Sequence, residues 1–357
     1  MTERITARQA NRTLLARQHL TQRVDEDAIE VIDRIVGMQS QDPSSAFYGL
    51  VSRIAGFEPD ELDALLSERE VVRIALLRNT VFLIDGEDAR WIRALAQDAI
   101  DAGVRANRRH DLASSTPDRV VADAAELLAG RALGLAELKE ALQRRHPDEN
   151  PATLATHARC GLPLVQVPPR GLWRRGGAPT YQLLDDWIGP GEPAVVGDEA
   201  RKELIRLYLR GFGPASAKAI STWSGLTRLQ PILNAMVDDW ELERLEGPSG
   251  EVLFDLDGLG LADPDTPAPV RLVGPFDHVL VAQADRYRIA DKDFFERTVT
   301  PNGRSPGFVL VDGWLAGTWR LAGCDGVDVE LFGTVTKTQR AELDDEIELL
   351  RAFRAKH

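Results

Sequence analysis

One pattern recurs along the chain and limits what it can fold into: short helices separated by Gly or Pro turns and followed by a pair of strands. The N-terminal part predicts four helices and then two strands, at residues 6–20, 25–36, 42–54, 60–68, 71–73 and 81–84. Asp25 and Asp42 are suited to N-caps, and Pro43 suits the first helical turn. Helices followed by a strand pair are typical of a winged helix-turn-helix.

The same order returns twice. A second copy is predicted from helices and strands at residues 136–145, 151–160, 164–167 and 180–184. A third copy has helices at residues 199–210, 214–223 and 228–236, with Gly225 at a tight corner and Thr227 as a cap. Repetition within one chain indicates tandem winged-helix modules.

The character of the chain changes after the Pro-rich linker at residues 263–269. Strands are predicted there at residues 270–273, 278–282, 308–311, 315–320 and 327–332, before a helix at 337–354. Asp312-Gly313 between two apolar runs is a strong hairpin signal. We therefore expect an α+β protein in four parts, at residues 1–115, 116–192, 193–265 and 266–357, the last a β-barrel-like domain with a C-terminal helix.

The charge of the chain is acidic but uneven. The net charge is -13 and the sequence pI about 5.1, which alone argues against nucleic acid as a partner. Local arginine-rich stretches nevertheless exist, among them residues 170–175, which contain no acidic side chain. An acidic exterior with basic local faces is compatible with a DNA-binding groove.

Several functions are not indicated by any motif. The sequence has no Gly-rich phosphate loop, no zinc spacing and no nucleophile elbow, so no cofactor and no metal are expected. Cys160 and Cys324 are expected to be reduced thiols. No segment is apolar enough to span a membrane and the N-terminus has no signal-peptide pattern, so a cytoplasmic protein without membrane contact is expected.

Gln39-Ser40-Gln41 is the segment most suggestive of a site. In an extended loop, residues two apart point the same way, so the amides of Gln39 and Gln41 would face one spot and could hold a water. On the residues alone, however, two loop glutamines more often satisfy backbone groups.

An ordered set of motifs resembles the AlkZ/YcaQ winged-helix family of DNA glycosylases. The matching segments lie at residues 37–43, 46–50, 78–83, 168–173, 211–214, 223–226, 276–277, 284–286, 300–303, 311–313 and 317–320. They follow the family order along nearly the whole chain. The Gln-x-Gln form of the segment at residues 39–41 resembles the AlkZ branch.

The resemblance implies tandem winged helices, a C-terminal barrel and a monofunctional glycosylase acting on alkylated purines in double-stranded DNA. Gln39 and Gln41 would then be catalytic and orient the attacking water onto N7-alkylated guanine, including bulky or crosslinked adducts. Ser40 stands where an aliphatic residue is usual and Phe82 where many relatives have His, so both are expected to select substrate. The family also implies self-resistance to a DNA-alkylating natural product, with housekeeping repair as the alternative.

A further set of side chains is expected to contact DNA. It comprises a basic loop, the flanks of the third helix-turn-helix and a C-terminal segment: Arg170, Trp173, Arg174, Arg175, Lys218, Arg228, Arg286 and Arg288. The alternatives are solvated surface, a half-buried Trp173, and a structural ion pair in the C-terminal segment. A monomer is expected, because repair acts on single sites.

Two other functions fit the same features. A non-catalytic winged-helix regulator would prefer one DNA sequence, usually as a dimer on spaced half-sites. A winged-helix scaffold for protein contacts fits the acidic pI and would show no salt-dependent DNA binding.

Overall fold

The computed structural model describes residues 3–281, 283–300, 304–323 and 326–356. Three parts of the sequence predictions lie outside these ranges: Cys324, Ala282 of the strand predicted at 278–282, and residues 301–303 of the motif at 300–303. Helices and strands are mixed along the whole described chain, so the predicted α+β class is confirmed. Within these ranges, no helix combines the length and the apolar character that a bilayer crossing requires.

The first part of the chain contains two helices that begin later than predicted. Its elements are β1 (Glu3–Arg4), α1 (Ala7–Arg17), α2 (Ala28–Arg34), β2 (Met38–Gln39), α3 (Ser45–Val51), α4 (Pro59–Glu68), β3 (Val71–Ala75), β4 (Val81–Asp85) and α5 (Gly86–Ala106). Helix α2 is capped by Asp27 rather than Asp25, with Glu30 accepting from the Asp27 amide at 3.3 Å. Helix α3 begins at Ser45, because Asp42 first forms a turn by accepting from the amide and hydroxyl of Ser44.

The second and third parts repeat a shorter set. The second contains α6 (Pro117–Leu128), β5 (Leu133–Gly134), α7 (Leu135–Arg145), α8 (Pro151–Gly161), β6 (Leu164–Gln166), β7 (Thr180–Leu183) and α9 (Leu184–Ile188). The third contains α10 (Gly197–Phe212), α11 (Ala217–Ser224), α12 (Gln230–Asp238), β8 (Leu242–Glu246) and β9 (Val252–Leu256). Strands β8 and β9 were missed in the sequence, since the charged residues of β8 interrupt its apolar pattern.

All three parts share one order of elements. A helix, a short extended segment and two helices precede a strand pair, and the last strand lies between the other two: β2–β4–β3 in the first part and β5–β7–β6 in the second. In the third, Ala215 bridges Phe254 on β9, which also pairs with β8.

The sheets of the three parts are not separate. Strands β3 and β6 pair at Ile74 and Val165, which joins the first two sheets into one of six strands in the order β2–β4–β3–β6–β7–β5. Strand β1, at the start of the chain, pairs in parallel with β8 in the third sheet.

The C-terminal part is an open sheet covered by a helix. It contains β10 (Arg271–Val273), α13 (Lys292–Glu296), β11 (Gly307–Val311), β12 (Trp314–Ala322), β13 (Gly326–Leu331) and α14 (Lys337–Ala355). The predicted hairpin at Asp312-Gly313 is confirmed, and both residues have positive φ, 48° and 80°.

Two predictions for this part are wrong. The four strands have the order β10–β11–β12–β13, and β10 and β13 do not pair with each other in the described ranges, so the sheet does not close into a barrel. The strand predicted at 278–282 is a turn over its described residues, because backbone bonds from Leu280 and Val281 return to the Asp277 carbonyl.

Candidate active site

The sequence motif at residues 39–41 lies at the edge of the six-stranded sheet. Gln39 ends β2 and is paired with Phe82 on β4, and the Ser40 amide donates to the Val81 carbonyl at 2.7 Å. Met38 pairs with Leu83 one step earlier. The strand cannot continue, because the Asp42 turn and α3 follow at once.

Ser40 fixes this edge of the sheet through hydrogen bonds with a buried arginine. It is fully buried, its hydroxyl accepts from Arg73 Nε at 3.1 Å, and its carbonyl accepts from Nη2 of the same side chain at 2.8 Å. Burial lowers the pKa of Arg73 to about 10, so the guanidinium is charged at neutral pH. Gly171 covers it with φ of 108°, and a Cβ there would come within 2.7 Å of Arg73 Cδ. The motif is therefore held in place by a buried cation.

Gln39 is nearly buried and contacts a histidine from the far end of the chain. His278 Nε2 lies 3.3 Å from Gln39 Oε1, and the Trp223 indole N–H donates to His278 Nδ1 at 3.4 Å. Because Nδ1 accepts from the indole, the neutral imidazole carries its proton on Nε2 and donates to Gln39. Trp223 and His278 thus orient the carboxamide of Gln39.

His278 stays uncharged in this environment. Burial, together with the nearby Arg78 guanidinium, lowers its pKa to about 3. The Phe82 ring lies 5.0 Å from the imidazole, between centroids. A neutral histidine can position Gln39, but it supplies no proton at neutral pH.

A small cavity lies directly at Gln39. It has about 10 Å³ of space and is lined by Gln18, Ile35, Gly37, Met38, Gln39, Ser45 and residues 275–278. That volume is about the minimum that one water molecule requires. Asp277 lines it too, but both of its carboxylate oxygens accept from Arg53, at 2.7 and 3.0 Å.

Gln41 is exposed, unlike Gln39. Its Oε1 accepts from the Val81 amide at 3.3 Å. Its Nε2 has no hydrogen-bond partner in the described ranges. The structure therefore brings both glutamines to the same end of β4, one in the interior and one at the surface.

Ser40 and Phe82, predicted to select substrate, are both fully buried. Ser40 is engaged by Arg73, and Phe82 packs against His278. Neither side chain is presented to a substrate in this structure. Any influence on selection would pass through the position of β2 and of His278.

The basic loop after β6 does not present its tryptophan. Trp173 is 8% exposed and packs against Phe47 and Phe353, with ring centroids 5.0 and 4.7 Å apart. The prediction of a DNA-stacking tryptophan is therefore wrong for this structure, because the ring belongs to the core between α3 and α14. Arg174 and Arg175 are exposed, whereas Arg170 is half-buried.

The C-terminal arginines are also largely structural. Arg288 is fully buried and donates to the carbonyls of Phe212 and Pro214, both at 2.7 Å. The prediction that it contacts DNA is therefore wrong. Arg286 is half-buried, with its guanidinium 4.0 Å from the Phe295 ring centroid. Lys218 and Arg228 are exposed, so their predicted DNA contacts stay predictions.

The residues that sequence reasoning missed are His278, Trp223 and Arg73. His278 is one of six histidines in the chain, and its partner Gln39 lies 239 positions away. No local pattern encodes such a contact. In the described ranges, no group of three or more His, Cys, Asp or Glu side chains is placed to hold a metal ion.

Comparison with known proteins identifies the family to which the chain belongs. A family model described as DNA glycosylase AlkZ-like matches residues 32–353, which is most of the chain. The protein is therefore a DNA glycosylase, an enzyme rather than a regulator or scaffold. Within that class it belongs to the AlkZ-like family.

A curated protein and a solved structure, both from Streptomyces sahachiroi, are similar to this chain over most of its length. The interstrand DNA cross-link repair glycosylase is 25% identical over 344 residues, which cover 90% of this chain and 88% of that protein. The solved structure of DNA glycosylase AlkZ superposes with a TM-score of 0.80 at 20% identity, covering 99% of this chain and 97% of that one. At this identity the structural likeness shows the fold alone.

Proposed function

We propose that this DNA glycosylase hydrolyses the N-glycosidic bond of N7-alkylated guanine in double-stranded DNA, with Gln39 and Gln41 orienting the attacking water. The observation that carries the proposal is the water-sized cavity at Gln39, whose carboxamide is oriented by His278. A carbonyl oxygen has two lone pairs. His278 uses one, and the other can accept from a water in the cavity.

The chemistry suits groups that do not titrate. N7-alkylated guanine carries a positive charge and leaves as a neutral base, so no general acid is required. Placing a water against the developing sugar cation can contribute about 7–11 kcal/mol. Asp277 is a poor candidate for a base here, because Arg53 occupies both of its oxygens.

The proposed substrates also differ in the size of the alkyl group. We infer that bulky and crosslinked adducts are included, because the Streptomyces sahachiroi relative is described as an interstrand DNA cross-link repair glycosylase. We propose that this protein acts as a monomer in the cytoplasm, either in self-resistance to a DNA-alkylating natural product or in housekeeping repair.

We further propose that the three repeated parts are winged helices that together bind the duplex. Their common order of elements supports this assignment, as does the last strand of each part, which lies between the other two in the first two parts and between Ala215 and β8 in the third. Arg174, Arg175, Lys218 and Arg228 are exposed and remain proposed contacts to DNA phosphates.

The test measures release of base from a duplex that carries one N7-methylguanine. We expect Gln39→Ala and Gln41→Ala each to slow single-turnover release by about 100-fold or more. Gln9→Ala, at a half-buried glutamine of α1, is the matched control and should release base like wild type.

Two results would contradict the proposal. One is release by the Gln39→Ala/Gln41→Ala double variant at the wild-type rate. The other is wild-type excision of uracil, a neutral base, as fast as that of N7-methylguanine. The first would remove the glutamines from the mechanism, and the second would require a general acid that the site lacks.

A further inference from the structure

Arg78 occupies a strained turn beside the candidate active site. It lies between β3 and β4, where Arg78 and Asn79 have φ of 55° and 58°. Side chains other than glycine rarely adopt this left-handed backbone, and two such residues in succession cost conformational energy. The turn leads directly into Val81 and Phe82, which contact Gln41 and Gln39.

The guanidinium of Arg78 has no compensating anion. Its Nη1 is buried without a hydrogen-bond partner, and no carboxylate lies within ion-pair distance among the described residues. Other buried arginines have partners: Arg17 and Arg53 pair with Asp255 and Asp277, and the buried arginines without a carboxylate, such as Arg73 and Arg288, donate to hydroxyl and carbonyl oxygens. Burial lowers the pKa of Arg78 to about 10, so it remains a cation at neutral pH. An unpaired buried cation is costly and therefore calls for a ligand.

A cleft lies beside this side chain. It measures about 310 Å³ and is formed by the Arg78 turn, α5 and α8, with Asn79, Asn107, His110 and Thr156 among its lining residues. No carboxylate lines it. The cleft therefore offers hydrogen-bond donors and one cation to an incoming anion.

The chain around the lining residues Asn107 and His110 is basic as well. Residues 105–110, at the end of α5, contain Arg105, Arg108, Arg109 and His110 and no acidic residue. The three arginines are exposed and make no ion pair with any described carboxylate. In a chain with a net charge of -13, such a cluster is unusual.

We propose that the Arg78 cleft binds a backbone phosphate of the DNA substrate, with Arg105, Arg108 and Arg109 guiding the strand along its rim. This rests on the proposed function. A phosphate bound by Arg78 fixes the target nucleotide relative to Gln39 and Gln41. The reason is that Arg78 lies on the same β3–β4 hairpin as the residues that contact the two glutamines. Arg78 is thus a binding and positioning residue.

The test is the salt dependence of binding to an undamaged duplex, measured by fluorescence anisotropy. Losing one phosphate contact lowers the slope of log Kobs against log salt by about 0.9 in magnitude. We expect that loss in Arg78→Gln, and a retained slope in Arg78→Lys. Arg320→Gln, at an exposed arginine of the C-terminal sheet, is the matched control and should behave like wild type.

Folding is checked on the same variants. Removing an unpaired buried charge should leave the thermal midpoint of Arg78→Gln unchanged or raise it. If the midpoint falls instead, Arg105→Gln/Arg109→Gln provides the same test at exposed positions, with an expected loss of about 1.8 in slope. A wild-type slope in both variants would overturn the inference.

The two proposals fail separately. Undamaged DNA reports on the cleft whatever the lesion is. A wild-type protein that releases no N7-methylguanine but keeps the slope difference at Arg78 would contradict the proposed substrate and support the cleft. Normal release with no slope difference would support the proposed substrate and contradict phosphate binding in the cleft.

Discussion

Gln39 gains its orientation from three buried residues that are uncharged at neutral pH. His278 donates to it, Trp223 holds His278, and Phe82 packs on the imidazole. All three are buried, and the imidazole is neutral because its pKa is about 3. A site built this way contains no group that changes charge near neutrality.

The neutral His278 predicts a flat pH profile. Single-turnover release of N7-methylguanine should vary little between about pH 5 and 8, since neither the glutamines nor His278 titrates there. His278→Gln, which retains a donor near the same place, should stay closer to wild type than His278→Leu. We expect the leucine variant to be slower by about 10-fold or more, as for other orienting partners.

An inflection near pH 6.5 would contradict this assignment, because it would mean that a histidine with an ordinary pKa controls the rate. Equal rates for His278→Leu and wild type would remove His278 from the positioning of Gln39.

At the scale of elements, one carboxylate holds the loop that leads into the second repeated part. Glu149, between α7 and α8, accepts from the amides of Ala113, Ser114 and Ser115 at 2.8, 2.7 and 2.8 Å. These hydrogen bonds lower its pKa to about 2. The loop before α6 is therefore fixed to the loop before α8.

Glu149→Gln should reduce the free energy of unfolding by about 1–3 kcal/mol at pH 7, because an amide replaces an ionised acceptor. A carboxyl group whose pKa is lowered on folding stabilises the protein above its unfolded pKa. That contribution is lost as pH falls from about 4.5 toward 2. The gap between wild type and variant in urea unfolding should therefore narrow over this range.

Glu126→Gln, at an exposed residue of α6, serves as the control and should show a smaller loss. A gap for Glu149→Gln that widened on acidification would reverse the expected sign and refute the assignment.

At the scale of the molecule, the N-terminal helices connect distant parts. Arg17 on α1 pairs with Asp255 on β9, and Arg53, after α3, pairs with Asp277, after the first strand of the C-terminal sheet. Both pairs are buried. The active-site turn at residues 275–278 is thus fixed to the first part of the chain by an ion pair as well as by Gln39.

Asp277→Asn should destabilise the whole protein by about 3–5 kcal/mol, because it leaves Arg53 charged and buried without its partner. Urea unfolding measures the change. Glu140→Gln, which breaks the exposed pair with Arg144, is expected to change stability by less than about 1 kcal/mol. Similar losses in the two variants would contradict this expectation, because they would show that Arg53 is not left as an unpaired buried charge.

The helices followed well from the sequence because their turn residues and apolar spacing are local signals, as for α8, which was predicted at 151–160 and is found at Pro151–Gly161. Strands β8 and β9 and the open C-terminal sheet did not follow, since pairing depends on distant partners. The glutamines came from family resemblance. Their orientation by His278 and the burial of Trp173 and Arg288 are tertiary facts that no local pattern carries.

The pairing of β1 with β8 has a consequence for how the protein is made. Glu3 is synthesised about 240 residues before its partner Leu245. At about 5–20 residues per second, the delay before that partner emerges is on the order of tens of seconds. During synthesis the first part must therefore wait with one strand unpaired. The third sheet is completed only after β8 has been synthesised and β1 has paired with it.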